Sequence, residues 1–451
     1  MTGLNTQEFM ESLIADLAPG ALEAFREVLE AEKGRPPKVT HLPDPVTLQD
    51  RHRLAIFAPD EAGEWDETLV AGRNYPVLTR EFWTARQRQA SNLHEVSYRA
   101  CYKPQLPRLF IEKLTQPGDL VYDPFGGRGT TAVEAALLGR RVISNDINPL
   151  SRILAQPRLT LPDAEAVEAR LAEIPLTGAA PDGLDLSMFY HADTEGELRT
   201  LRAWLIERQA QGCEDDLDRW IRMVATNRLT GHSPGFFSVY TLPPNQAASA
   251  RRQILINEKR NQVPPYRSTH TLILKKTRQL LKGITPEECQ NLAQAAPTAR
   301  FLTGDARKTD LIPDGTVALT VTSPPFLDVV QYSPDNWLRC WFNDLDGPAI
   351  GEGITMAKTL RIWSSVMQDV FVELFRITRP GGHVAFEVGE VRGGSVSLED
   401  AVLEVGAAAG FAGLGILVNA QVFTKTSHIW GIDNQDKGTN TNRIVMFQKP
   451  C

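Results

Sequence analysis

The sequence predicts an α/β fold, a doubly wound and mostly parallel sheet interrupted by a large, mainly helical insertion. Three observations carry this. Residues 120–122, a Gly-rich turn, a helical pattern over 131–138 stopped by Gly139, and residues 141–144 make one strand–helix–strand unit. Strand–helix alternation then fades after Ser151 and resumes near Arg300. Finally, Asp123 and Ser323 stand 200 residues apart. Uninterrupted βα units of roughly 30 residues would need about half that to run from a first to a fourth strand.

The surplus matches residues 151–300, where helical patterns surround a Gly/Pro-rich centre at 231–244. Beyond it the sequence predicts a strand at 316–322, a helix over 363–378, a Pro380-Gly381-Gly382 turn and a strand at 383–388. Residues 415–422 and 443–448 read as a last, antiparallel pair. Trp337, Trp341 and Phe342 fall at helical spacing and read as core aromatics. At the other end, Phe9, Leu13, Leu17, Leu22, Phe25, Val28 and Leu29 keep a helical period until Pro36, Pro37, Pro43 and Pro45 break it. Residues 32–92 show no strong period, so 1–92 is read as an N-terminal extension.

Composition bounds the function classes. Hydrophobic residues make up 42% and charged residues 23% of the 451, ordinary for a globular protein with a sizeable core. No apolar run reaches the ~20 residues that span a bilayer, and the acidic, amphipathic start is unlike a signal peptide. Cys101, Cys213, Cys289, Cys340 and Cys451 are odd in number and far apart, which argues against disulfide or zinc frameworks and fits a reducing cytoplasm. The expectation is a cytoplasmic protein with no membrane association and no metal. The net charge of −7 means that any nucleic-acid contact must rest on a local basic segment.

Two motifs carry chemistry. The first is Asp123-Pro124-Phe125-Gly126-Gly127-Arg128-Gly129-Thr130-Thr131, between a strand and a helix. Its glycines let the backbone bend sharply and approach a ligand, and the helix N-terminus that follows favours a carboxylate. The spacing is neither that of a phosphate loop nor that of a dinucleotide fingerprint. Asp146, about 20 residues on and followed by Ile147, ends the next strand, where an acid accepts hydrogen bonds from a ribose diol. The plainer readings are a tight packing turn and, for Asp146, a helix cap.

The second motif, Ser323-Pro324-Pro325-Phe326, follows a strand directly. Two prolines stiffen the backbone and remove N–H donors at the end of the sheet where ligands bind in open α/β folds. The Ser323 hydroxyl and the Pro324 carbonyl can both accept hydrogen bonds from an amine, and Phe326 offers a face for stacking a planar ring.

Together these motifs resemble those of the DNA amino-methyltransferases, which act on cytosine N4 or adenine N6. Asp-Pro-Phe-x-Gly-x-Gly-Thr-Thr is similar to their cofactor motif. Tyr98-Arg99-Ala100-Cys101-Tyr102-Lys103-Pro104 looks like the segment that precedes it, and Thr303-Gly304-Asp305-Ala306 like their third cofactor motif. The resemblance implies a class I methyltransferase-like fold and S-adenosylmethionine as cofactor. It places Tyr98 and Lys103 at the methionine end, Asp146 on the ribose, and Asp305 with Ala306 near the adenine. It also implies that Ser323 and Pro324 take both amine hydrogens of a base flipped from the duplex, which frees the nitrogen lone pair for direct attack without a covalent intermediate. Serine in first place is typical of the cytosine-N4 members. The segments Leu374–Gly382, Lys425–Trp430 (with His428) and Thr439–Arg443 also look like that family. Adenine N6, guanine N2 in RNA and a catalytically silent nucleic-acid-binding module stay open as alternatives.

On this reading residues 93–150 and 301–451 are the two parts of a catalytic domain. Residues 151–300 are the region that reads double-stranded DNA. Between Arg251 and Lys282 stand nine basic residues, Arg251, Arg252, Lys259, Arg260, Arg267, Lys275, Lys276, Arg278 and Lys282, against Glu258 alone. Asn245, Gln246, Gln253, Asn257, Asn261 and Gln262 are interleaved, and Arg, Asn and Gln suit base edges while Lys suits phosphates. The plainer reading is a solvated helix face. The family usually places recognition between the third cofactor motif and the catalytic one, whereas this insertion falls between the second and third, so residues 1–92 or the 332–362 loop could share the work. As partners the resemblance implies duplex DNA and admits a cognate restriction endonuclease acting on the same site, with no stable complex.

Overall fold

The structure is a computed structural model. It describes residues 54–58, 63–83, 90–99, 101–177, 183–244, 246–325, 332–354, 357, 359–389, 397–420 and 441–451. The helical pattern over 6–31, Ala100, Asn245, Phe326 and the 425–430 segment with His428 lie outside the described residues.

In chain order the elements are the hairpin β1 (Glu64–Val70) and β2 (Arg73–Arg80), α1 (Gln105–Leu114), β3 (Leu120–Asp123), α2 (Thr130–Leu137) and β4 (Arg141–Asp146). Seven helices follow: α3 (Leu150–Ala155), α4 (Ala164–Glu173), α5 (Ala192–Ala210), α6 (Asp216–Arg228), α7 (Ala250–Arg260), α8 (Thr269–Leu281) and α9 (Pro286–Ala295). The chain then returns to the sheet through β5 (Arg300–Thr303), β6 (Val317–Thr322), α10 (Tyr332–Phe342), α11 (Gly347–Gly353), α12 (Leu360–Ile377), β7 (Thr378–Val388), α13 (Leu398–Ala408), β8 (Ala412–Ala420) and β9 (Thr441–Gln448).

The strands form one sheet in the order β1-β2-β8-β9-β7-β6-β3-β4-β5. The run β5-β4-β3-β6-β7 is parallel throughout. Strand β9 is antiparallel to both β7 and β8, the final pair that the sequence predicts. From β3 the chain steps outward to β4 and β5 on one side, then returns to place β6 on the other. That reversal opens a crevice beyond the carboxyl ends of β3 and β6. Every residue of β3 and β6 is buried, as expected of strands covered on both faces.

The insertion supplies one of those covers. Leu198, Leu201, Trp220, Ile221, Val224, Ile273 and Leu280 share a continuous core with Val121, Val142 and Leu319 of the sheet. On the opposite face Trp363, Phe371 and Leu374 of α12 and Val402 of α13 pack on Tyr122, Ile143, Val384 and Phe447. Phe371 sits 4.9 Å from Phe386 and 5.2 Å from Phe447 between ring centroids.

Two features differ from the sequence reading. Part of the expected N-terminal extension is sheet: β2 pairs in parallel with β8, and β1 closes the edge. Residues 380–382, read as a turn before a strand, instead lie inside β7. They bulge outward where the β6 register shifts between Val317 and Leu319. The bulge is held by the C-terminal tail, where Gly381 N donates to Lys449 O and Lys449 N to Gly382 O, both at 2.9 Å.

The hairpin's fit is tight at Gly415 of β8. Its φ is +137°, and an added Cβ would lie 2.4 Å from the Pro76 carbonyl oxygen. Gly415→Ala is therefore expected to cost about 3 kcal/mol, combining backbone strain with overpacking. Urea denaturation measures this, and an unchanged midpoint would mean that the hairpin is not firmly joined to the sheet.

Candidate active site

The crevice holds a cleft of about 950 Å³, counted out to its open mouth. Its floor is the turn after β3. Gly127 has φ +52° and Gly129 φ +77°, both in the region that favours glycine. An added Cβ on Gly126 would lie 2.3 Å from Ser144 Oγ, and one on Gly129 would lie 2.3 Å from Ala155 Cβ. The turn thus presses against β4 and α3 with no room for side chains, which leaves its other side open to the cleft.

Arg128, the second of the motif's two variable positions, fastens this turn. Its guanidinium donates to the carbonyls of Val96 (2.9 Å), His94 (3.3 Å) and Tyr102 (3.3 Å). Arg158, wholly buried, donates in turn to Leu154 O, Leu93 O and the Arg128 carbonyl. The partners of its donors are carbonyls, and burial lowers its pKa to about 9. This pair stitches residues 93–102 over the glycine turn and brings Tyr98, Arg99, Cys101 and Tyr102 to the cleft wall.

Asp146 stands at the end of β4 and lines the cleft. Its carboxylate accepts from Gly127 N and Asn148 N, each at 2.8 Å. Burial pushes its pKa up to about 6 against the pull of those two N–H groups. Beside it an apolar slot forms between Ile147 and Ile354, Val366, Met367 and Val370. A Cβ on Gly353 would come within 3.0 Å of Ile147 Cδ1, so the slot closes tightly at that end. Asp305 and Ala306 also line the cleft. Arg307 holds the Asp305 carboxylate in a fork at 3.0 and 2.6 Å and lowers its pKa.

At the far wall Ser323 and Pro325 open into the same cleft. The Ser323 hydroxyl hydrogen-bonds the Glu387 side chain at the end of β7, which also accepts from Asn442 Nδ2 at 2.8 Å. Burial raises the Glu387 pKa, and the two hydrogen bonds oppose that. When Ser323 donates its one hydrogen to Glu387, its oxygen keeps lone pairs for an incoming donor. Trp363 Nε1 donates to Pro325 O at 3.0 Å and fixes the loop.

Of the other predicted site residues, Pro124, Phe125 and Thr130 line the cleft, whereas Lys103, Asp123, Gly129 and Pro324 do not. Asp123 lies beneath it, accepting from Thr322 Oγ1 (2.6 Å), Tyr102 OH (2.8 Å) and Phe125 N (3.1 Å). Its role is to join the two motifs.

The basic segment divides. Arg251, Arg252, Lys259, Arg260 and Lys275 are exposed. Arg267, by contrast, spends its guanidinium on the Ser233, Phe236 and Ser238 carbonyls, and buried Lys276 pairs with Glu95 at 3.1 Å. Gln253, Asn257 and Gln262, read as candidate base readers, bond to one another and to the carbonyls of Met188 and Tyr240. Ile354, Val366 and Met367 were not legible as site residues, because helix packing brings them to the cleft, and Arg307 enters it from the turn after β5 through its fork with Asp305. Among the described residues no helix is long and apolar enough to cross a membrane.

The donor set fits S-adenosylmethionine: an acid for a diol, an apolar slot for a flat ring, and a glycine turn at a helix N-terminus for a carboxylate. A diol donates to the ionised form of Asp146. Affinity for the cofactor is therefore expected to be full above about pH 6 and to fall roughly tenfold per unit below it. Calorimetric titration across that range checks this, and a flat profile would remove Asp146 from the cofactor site.

The sequence comparisons agree with this geometry. Residues 48–154 match the DNA methylase family. The type II methyltransferase M.MjaII of Methanocaldococcus jannaschii is 28% identical over 112 residues, 25% of this chain and 21% of that protein. M.MvaI of Kocuria varians, also a type II methyltransferase, is 41% identical over 66 residues, 14% of each chain. A DNA modification methylase of Thermus thermophilus in complex with S-adenosyl-L-methionine, described as putative, is 23% identical. That match covers 33% of this chain and 54% of the other, with a TM-score of 0.20. The chain spans less than a quarter of the length of the two type II relatives in these matches. Over residues 48–154 the chain is thus similar to the DNA methylase family, and in parts to type II methyltransferases.

Proposed function

We propose that this protein methylates DNA at the exocyclic N4 amine of cytosine, at a defined sequence, on a base flipped out of the duplex. One observation carries the reading: Ser323, oriented by Glu387, faces the cleft that also holds Asp146 and the glycine turn. S-adenosylmethionine, when bound, supplies an electrophilic methyl group. The chain's own residues prepare the nucleophile. Ser323 Oγ accepts one amine hydrogen. Trp363 Nε1 already donates to the Pro325 carbonyl, and we assign the second hydrogen to the carbonyl of Pro324, which stands between the two cleft-lining residues Ser323 and Pro325. Accepting both hydrogens draws the nitrogen lone pair out of conjugation with the ring. The proton shed on transfer passes through the Ser323 hydroxyl to Glu387, whose raised pKa suits it as acceptor.

Serine rather than a carboxylate at the first motif position favours cytosine over adenine. We further propose that residues 93–150 and 301–451 form the catalytic part and that 151–300 contribute target recognition. In a cell that also carries a restriction endonuclease for the same sequence, the modification would protect that site.

Ser323→Ala is expected to lower methyl transfer at least about 100-fold, as loss of a positioned acceptor does. The cofactor Kd should stay within about twofold. Turnover near that of the parent would remove Ser323 from the chemistry. Glu387→Gln places an amide beside Ser323, and a smaller loss, about tenfold, is expected with cofactor affinity retained. A parallel loss of cofactor binding would show Glu387 to be structural only.

A further inference from the structure

Helix α7 has an inverted amphipathic pattern. Gln253 alone of its residues is buried, and its inner side is polar. Gln253 Nε2 donates to Tyr240 O (3.1 Å), Asn257 Nδ2 to Met188 O (2.7 Å), and Gln262 Nε2, just past the helix, to Tyr240 O (2.9 Å). The Arg260 guanidinium sits 3.8 Å from the centre of the Tyr240 ring. Apart from the half-buried Ile256, its large apolar residues face outward: Ile254 is 43% exposed, Leu255 56% and, in the following loop, Val263 84%. Arg251, Arg252 and Lys259 share that outer side, with Glu258 the one acid on the helix. An amide clamp underneath, beside the half-buried Ile256, holds the helix with little apolar contact, so Ile254 and Leu255 are left to meet a partner.

The chain entering α7 is tied to the cleft. Arg99 of the cleft wall bonds Gln246 Oε1 at 3.4 Å and Asp335 at 2.6 Å. Ala247 N donates to Asp335 O at 2.9 Å, and Trp337 Nε1 donates to Ala248 O at 3.0 Å. Ser249 then caps the helix, its side chain accepting from Arg252 N at 3.3 Å. Three consecutive residues thus fix where α7 leaves the cleft rim.

We infer that α7 is the helix that reads the target sequence. It enters the major groove with Arg251, Arg252 and Lys259 on phosphates or guanine edges and Ile254 and Leu255 against thymine methyl groups. This rests on the reading of the site as a DNA methyltransferase. Charge complementarity supports it, since these exposed cations belong to a chain of net charge −7. Helix width suits the groove, and apolar contact with the thymine methyl is a recognised form of readout. The bases it reads include thymine, and its tie to the cleft rim places them near the methylated one.

Selection of duplexes from a random library by the full chain, with sequencing of the bound fraction, tests this without depending on catalysis. The parent protein is expected to enrich a motif containing thymine. Ile254→Ala with Leu255→Ala should lose preference at the thymine positions. Arg251→Ala with Arg252→Ala should bind all duplexes more weakly and reduce the logarithmic salt slope by about two. An unchanged cofactor Kd in both variants shows that they fold. The inference is overturned if both variants enrich the same motif with the same salt slope. It is overturned also if the parent ignores the library but binds phosphatidylserine vesicles through Ile254 and Leu255. Separate failure of the parent to methylate DNA while still enriching a motif would remove the methyltransferase reading and leave the recognition helix standing.

Discussion

The buried Asp123 carboxylate is the constraint on which the rest of the site depends. It closes β3, accepts Thr322 Oγ1 from the end of β6, Tyr102 OH from the overlying segment and Phe125 N from the glycine turn. Thr131 Oγ1 meets the same tyrosine hydroxyl at 2.5 Å and donates to Val321 O. Burial raises the Asp123 pKa, and these donors oppose that rise. Each such bond to a charged buried group contributes about 1.5–3 kcal/mol, and removing one partner leaves the others mismatched. The glycine turn and the segment that begins at Ser323, 200 residues beyond Asp123 in sequence, are therefore tied to one group.

This explains why the two motifs were legible and why Asp123 was misplaced among them. Each motif is local: glycines where φ is positive, prolines straight after a strand, an acid at the next strand end. Such patterns survive in a linear reading. Sequence alone does not say whether an acid at a strand end faces the ligand or the protein. Asp146 faces the cleft and Asp123 the interior, and the difference comes from Tyr102 and Thr322, neither of which is adjacent in sequence.

The basic insertion shows the same limit. Counting charges located a cationic segment but not which cations are spent. Lys276 lies under Glu95 and Arg267 among three carbonyls, both as internal ties, while Arg251 and Arg252 stay in solvent. The amides Gln253, Asn257 and Gln262 resemble base readers in composition, yet they anchor α7 from beneath. The hairpin of β1 and β2 was hidden for a related reason. Its outer strand is mostly exposed, so burial imposes no strict alternation on it, and its partner β8 lies more than three hundred residues away.

Under the proposed function, one cleft joins a bound methyl donor to a base amine at Ser323. Incubating the protein with methyl-labelled S-adenosylmethionine and unmethylated genomic DNA, then separating the nucleosides, tests it most directly. Label is expected in N4-methylcytosine. Label in N6-methyladenine would contradict the role given to Ser323, and no transfer to DNA with cofactor binding intact would contradict the substrate itself.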